Sequence, residues 1–203
     1  MVKVPSKIYA SIKYKAKSGW VCSPVDFLDV GSRAAVNQAL SRMVKDGLIR
    51  RVARGLYDVP QFNVMLNRSS PPRHDQVVMA IARRDGIKIL TDNIVHANGL
   101  GLTNAVPAKL TYLTDGPSKT VSIGGFDIRM KHVAPSFMNN ATSKSGPLFQ
   151  ALTWLGKDVA KTSIDLPLII KSKVRDDVLV DIQKRAGSFP AWMQSVINKV
   201  LSI

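Results

Sequence analysis

The side chains best suited to recognition chemistry lie between Ser32 and Arg54. Asn37 and Gln38 carry amides that can bond adenine N6 and N7 in a two-pronged fashion, and Arg33 and Arg42 can pair with guanine or phosphate. Ser41 and Lys45 add a hydroxyl and a charge to the same stretch. Ser32 just ahead of it can offer a hydroxyl and nearby amides to a phosphate. Arg50, Arg51 and Arg54 then crowd a short run where backbone phosphates would be met. The alternative for all of these residues is a solvated helix face beside an ordinary hairpin.

These residues need a scaffold, and the local pattern supplies one. Val36, Ala39, Leu40, Met43 and Val44 recur at helical spacing, so Arg33 to Asp46 is expected to be a helix with one buried stripe and its polar residues outside. Ser32 caps its start and Gly47 ends it. Leu48 to Ala53 and Leu56 to Val59 are expected to be two strands turning at Arg54-Gly55. Upstream, Pro5 to Lys17 reads as a helix burying Ile8 and Ile12, with Lys3 in the tail before it. Ser23-Pro24 opens a short second helix whose core contacts are Phe27 and Leu28. Three helices followed by a basic hairpin is the winged helix-turn-helix arrangement. A helix of this kind fits the major groove of double-stranded DNA, with the hairpin against the backbone or in the minor groove.

Charge agrees with a polyanionic partner. The 203 residues hold 29 Lys and Arg against 14 acids, all Asp, for a formal charge of +15. That exceeds the roughly 2–8 that keeps a small domain soluble, and it favours nucleic acid over an anionic membrane surface. Residues 1–60 hold 11 basic and 4 acidic residues; residues 74–203 hold 16 and 10 over more than twice the length. Between them, residues 61–73 have the Asn, Ser and Pro of a linker. The expected organisation is therefore a winged helix over 1–60, a linker over 61–73 and a mixed α+β domain over 74–203. In that last domain, helices are expected at 74–84, 92–98, 146–155, 175–185 and 190–201. Strands are expected at 88–90, 108–114, 120–123 and 126–133, with Gly124-Gly125 turning the last pair.

Other chemistries find little purchase. A lone Cys22 excludes an internal disulfide framework and a zinc finger, and its place after Trp20-Val21 suggests a buried thiol. His74, His96 and His132 show no metal-ligand spacing. Gly99-Leu100-Gly101 lacks the third glycine and the preceding strand of a dinucleotide fingerprint. Asp176 and Asp177 are helix neighbours that do not face each other; Asp177 and Asp181 could, but helix solvation explains them as well. Trp192 and Met193 read as core. No metal, cofactor or catalytic residue is expected, and the chain is expected not to be an enzyme. No leader-like segment or apolar run near the roughly 18 residues of a membrane span is present, so a cytoplasmic protein without a membrane partner is expected.

The stretch Gly19-Trp20-Val21, Ser23-Pro24-x-Asp26-Phe27, Gly31-Ser32-Arg33-x-Ala35-Val36-x-Gln38-Ala39-Leu40, Gly47-Leu48-Ile49-Arg50 and Arg54-Gly55-Leu56-Tyr57 resembles the N-terminal winged helix of AbiEi-type antitoxins. Val106-Pro107-Ala108-Lys109, Tyr112 to Gly116 and Pro190-Ala191-Trp192-Met193 are similar to a branch of bacterial proteins related to them. The resemblance implies a two-domain antitoxin of a type IV toxin–antitoxin system. Its winged helix would bind inverted repeats upstream of its own operon and repress it. Its second domain would counter a nucleotidyltransferase-like toxin encoded next door, without a stable complex. Carried onto this chain, the recognition residues are Arg33, Asn37, Gln38, Ser41 and Arg42, and the wing arginines are Arg50, Arg51 and Arg54. The competing expectation is an interaction module that neutralises a partner protein by direct contact, without sequence-specific DNA binding.

Overall fold

Helix α1 (Val4–Ala16) and helix α2 (Arg33–Lys45) pack on each other through Ile8, Ile12, Val36, Leu40 and Met43, all buried. The computed structural model describes residues 4–203; Lys3 lies outside them. The chain is a mixed α+β protein that divides into two compact units, Met1–Ile89 with Thr120–Ile128, and Leu90–Lys119 with Arg129–Ile203.

In the first unit, the short helix expected after Ser23 is a four-residue 3-10 turn, Pro24–Phe27. Asp26 holds it by accepting hydrogen bonds from the Ser23 N–H (2.7 Å) and hydroxyl (3.1 Å). Phe27 is buried as expected. Leu28 is not: it stands at the end of the turn, 47% exposed, because the chain never completes the α-helical turn that would carry it inward. Strands β1 (Arg50–Ala53) and β2 (Leu56–Asp58) form an antiparallel hairpin, and Gly55 at φ +70° makes the turn between them. A bulge at Val52 shifts the register between Arg51 and Ala53. Residues 61–73, linker-like in composition, hold a second small hairpin, β3 (Phe62–Asn63) with β4 (Arg68–Ser69).

Helix α3 (His74–Asp85) belongs with these elements. Arg83 donates to Asp26 (2.7 Å) and to the Val21 carbonyl (2.8 Å), and Arg84 donates to the Arg54 carbonyl (2.7 Å). The composition boundary at residue 74 therefore does not coincide with the boundary of the first unit, because these long-range contacts leave no trace in composition.

Strands β5 (Ile89–Thr91), β6 (Leu110–Thr114), β7 (Lys119–Ile123) and β8 (Phe126–His132) form one sheet in the order β5-β6-β8-β7. The tip of the β7–β8 hairpin, Thr120–Ile128, falls in the first unit.

The second unit is mainly helical. Helices α4 (Asn93–Gly99), α5 (Pro135–Ala141), α6 (Gly146–Leu155), α7 (Lys157–Thr162), α8 (Leu166–Lys173), α9 (Asp176–Arg185) and α10 (Ala191–Leu201) surround Leu148, Leu152, Leu166, Ile170, Ile182, Met193 and Ile197. Phe149 stacks on Phe189 at 5.3 Å and tilts against Phe137 at 5.0 Å. Met193 is buried as expected and Trp192 is partly buried beside it. Among the described residues, no helix is long and apolar enough to cross a membrane.

Candidate nucleic-acid interface

Helix α2 presents two neighbouring ridges to solvent. Arg33, Asn37, Ser41 and Lys45 follow one another at four-residue intervals, and Gln38 and Arg42 form the adjoining row. All six are exposed, and the opposite side of the helix is the buried stripe. The basic residues Arg33, Arg42 and Lys45 form no ion pair with a carboxylate among the described residues. Arg42 and Lys45 also sit in the last turn, where the helix dipole favours positive charge.

Ser32 has a local task. Its Oγ accepts the Ala35 N–H at 3.3 Å and caps α2. The cap fixes where the helix starts and therefore which residues occupy the exposed ridges.

The three hairpin arginines separate into two kinds. Arg51 and Arg54 are exposed and make no ion pair among the described residues. Arg50 is half-buried and engaged on all three of its nitrogens. Its Nε and Nη2 donate to Asp58 at 3.0 and 2.6 Å, and its Nη1 donates to the Ser70 carbonyl at 3.0 Å. Asp58 lies directly opposite in the ladder and is buried. Arg50 therefore has a structural task that Arg51 and Arg54 lack; its remaining N–H groups border the cleft it shares with Arg51 and Arg68.

Two clefts border the β1–β2 hairpin. One, of about 440 Å³, is lined by Arg33, Ala53, Arg54, Gly55, Arg84 and Val121, so the first residue of α2 and the hairpin turn share it. The other, of about 390 Å³, lies along Arg50, Arg51, Arg68 and Ser69 with Pro71, Pro72 and Gly124. Arg68 and Arg84 join these clefts without being among the expected site residues. Arg68 was visible only as linker charge, and Arg84 is held by Asp85 (2.7 Å) while it reaches the hairpin turn.

This surface is basic and rich in hydrogen-bond donors, which complements an acceptor-rich polyanion. It offers amide and hydroxyl groups in a row on a helix, flanked by guanidinium groups in shallow clefts. Cys22, in contrast, is sealed beneath it. Burial, assisted by the nearby Asp26 carboxylate, pushes its thiol up to about 12, which leaves it unreactive at neutral pH.

The aspartates weighed for metal binding are employed elsewhere. Asp181 accepts the Ser145 N–H (2.9 Å) and hydroxyl (2.7 Å) ahead of α6 and is paired with Arg185. Asp177 is paired with Arg175. No group of three or more potential metal-ligating side chains occurs among the described residues. In comparisons with other proteins, a family model described as "Family of unknown function (DUF6088)" matches residues 7–176. No curated protein and no solved structure matches the chain.

Proposed function

We propose that this chain, which belongs to the family of unknown function DUF6088, is a DNA-binding transcriptional repressor that acts through its first unit. The observation that carries the reading is the exposed face of α2, whose basic residues have no carboxylate partner among the described residues and whose first residue shares a cleft with Arg54. In this reading α1, the 3-10 turn, α2 and the β1–β2 hairpin act as a winged helix-turn-helix. Asn37, Gln38, Ser41 and Arg42 read base edges in the major groove, and Arg33, Lys45, Arg51 and Arg54 hold the phosphates on either side. The charge of +15 supports the same partner.

The antitoxin role is the second part of the proposal and rests on the resemblance to AbiEi-type antitoxins. It assigns the helical second unit to countering a toxin encoded beside it. A reporter gene placed behind the chain's own upstream region tests the repressor directly. Expression of the intact chain silences the reporter, and the double variant Asn37→Ala/Gln38→Ala restores it. Equal reporter output with and without the protein would overturn the repressor. Growth rescue upon co-expression with the neighbouring gene product tests the antitoxin.

A further inference from the structure

The β3–β4 hairpin exposes an unusual tip. Phe62 (61%), Val64 (83%), Met65 (96%) and Leu66 (59%) all face solvent. The segment from Gln61 to Asn67 carries no charge, on a chain of +15. Large apolar side chains grouped in this way mark a surface that contacts something.

The tip is held in shape rather than loose. Phe62 pairs with Ser69 and Asn63 with Arg68. The Asn63 Oδ1 accepts the Leu66 N–H at 3.0 Å, and Asn67 adopts the left-handed conformation (φ 46°) that closes the turn. The root is anchored as firmly. The Ser70 N–H donates to the Gln61 carbonyl at 2.7 Å, Gln61 Nε2 donates to the Ala16 carbonyl at 2.9 Å, and Arg50 ties the Ser70 carbonyl to β1. A rigid apolar point is thus mounted next to the basic hairpin, with Arg51 and Arg68 lining the cleft at its base.

We propose that this hairpin is a minor-groove wedge. Val64, Met65 and Leu66 insert at a base step and partly unstack it, while Arg51 and Arg68 neutralise the phosphates bordering the step. The inference rests on the DNA-binding reading and adds a bend to it. DNA offers both surfaces together, apolar base faces within a few ångströms of phosphate charge, and it is the partner already inferred for the neighbouring α2 face. A second copy fits worse, because a two-fold contact through the tips would bring the same arginines of both copies toward each other. Pyrimidine–purine steps, which unstack at the least cost, are the expected targets.

The test uses the full chain and a duplex of about 30 base pairs with a central TA step, labelled at its ends for energy transfer. Binding is followed by anisotropy on the same samples. The intact protein is expected to bend the duplex by roughly 20–90°. The triple variant Val64→Ser/Met65→Ser/Leu66→Ser is expected to bind about tenfold more weakly, with an unchanged salt dependence and a straight duplex. The substituted side chains are exposed, so the fold does not depend on them. Binding by the intact protein without a bend, or an equal bend with the triple variant, would overturn the wedge and leave the DNA-binding reading intact. No binding to any duplex would overturn both. Sedimentation of the free protein as a dimer that the triple variant abolishes, with straight DNA in both, would show a self-association surface and likewise overturn the wedge.

Discussion

Arg50 and Asp58 face each other across the β1–β2 ladder and share a two-pronged ion pair, 2.6 and 3.0 Å, at the root of the hairpin. The next residue along, Arg51, is exposed and has no ion-pair partner among the described residues. Two adjacent arginines in one strand therefore do different work, since successive side chains leave a strand on opposite faces.

The two can be separated by experiment. Arg50→Ala strands a buried carboxylate, so it is expected to lower stability by about 2 kcal/mol, measured by urea denaturation. Arg51→Ala is expected to leave the denaturation midpoint in place and reduce the salt slope of DNA binding by about one phosphate contact. If both variants fold equally well and lose the same salt dependence, the distinction between structural and binding arginines is wrong.

A second division runs between α2 and the hairpin. Gln38→Ala is expected to cost about 1–3 kcal/mol against the preferred sequence and almost nothing against others. Arg54→Ala weakens binding to every duplex alike. Competition titrations with single-base operator variants measure this; a uniform loss with Gln38→Ala would contradict base readout from the helix.

The buried thiol predicts an alkaline weakness. Burial first, and the Asp26 carboxylate after it, raise the Cys22 pKa from 9.0 to about 12. A group raised in this way gives its full stabilisation below its unfolded value and loses it as pH climbs toward the folded value. Stability should therefore decline between pH 9 and 12, by about 1.4 kcal/mol per pH unit from this single proton. Denaturation of the intact chain and of Cys22→Ala across that range checks it. The variant starts less stable and lacks this component of the slope; identical slopes would remove the assignment.

In the second unit, Asp181 works against acid. Burial raises its pKa, but the hydrogen bonds from Ser145, followed by Arg185, overcome that and hold it below the ordinary carboxylate value. The stabilisation is present above the ordinary value and disappears as pH falls through the lowered one. Asp181→Asn is expected to be less stable than the intact chain at pH 7, by about 1 kcal/mol, with the gap closing in acid. A gap that persists at pH 2 would show that packing, not the carboxylate charge, is responsible.

Much of the exposed α2 face was legible in the sequence because it is local. The 3.6-residue spacing of Val36, Leu40 and Met43 specifies which side of α2 is buried, and so which side Asn37 and Gln38 occupy. Gly55 marks the hairpin turn by itself. The engagement of Arg50 was not legible, since it depends on ladder register and on Ser70 twenty residues away. The attachment of α3 to the first unit involves contacts distant in sequence, such as the Arg83–Asp26 pair, 57 residues apart. Helices α5, α7 and α8 escaped notice because they have only six to eight residues and no complete apolar stripe.

The central claim is that the exposed face of α2 and its flanking arginines bind specific DNA. Fluorescence anisotropy of the purified chain with its own upstream DNA, against a scrambled duplex of equal length and across a salt series, tests it most directly. The account predicts tight binding that strongly favours the native sequence and survives physiological salt. Weak binding, equal for both duplexes and abolished by salt, would contradict it and reduce the positive charge to a generic polyanion surface.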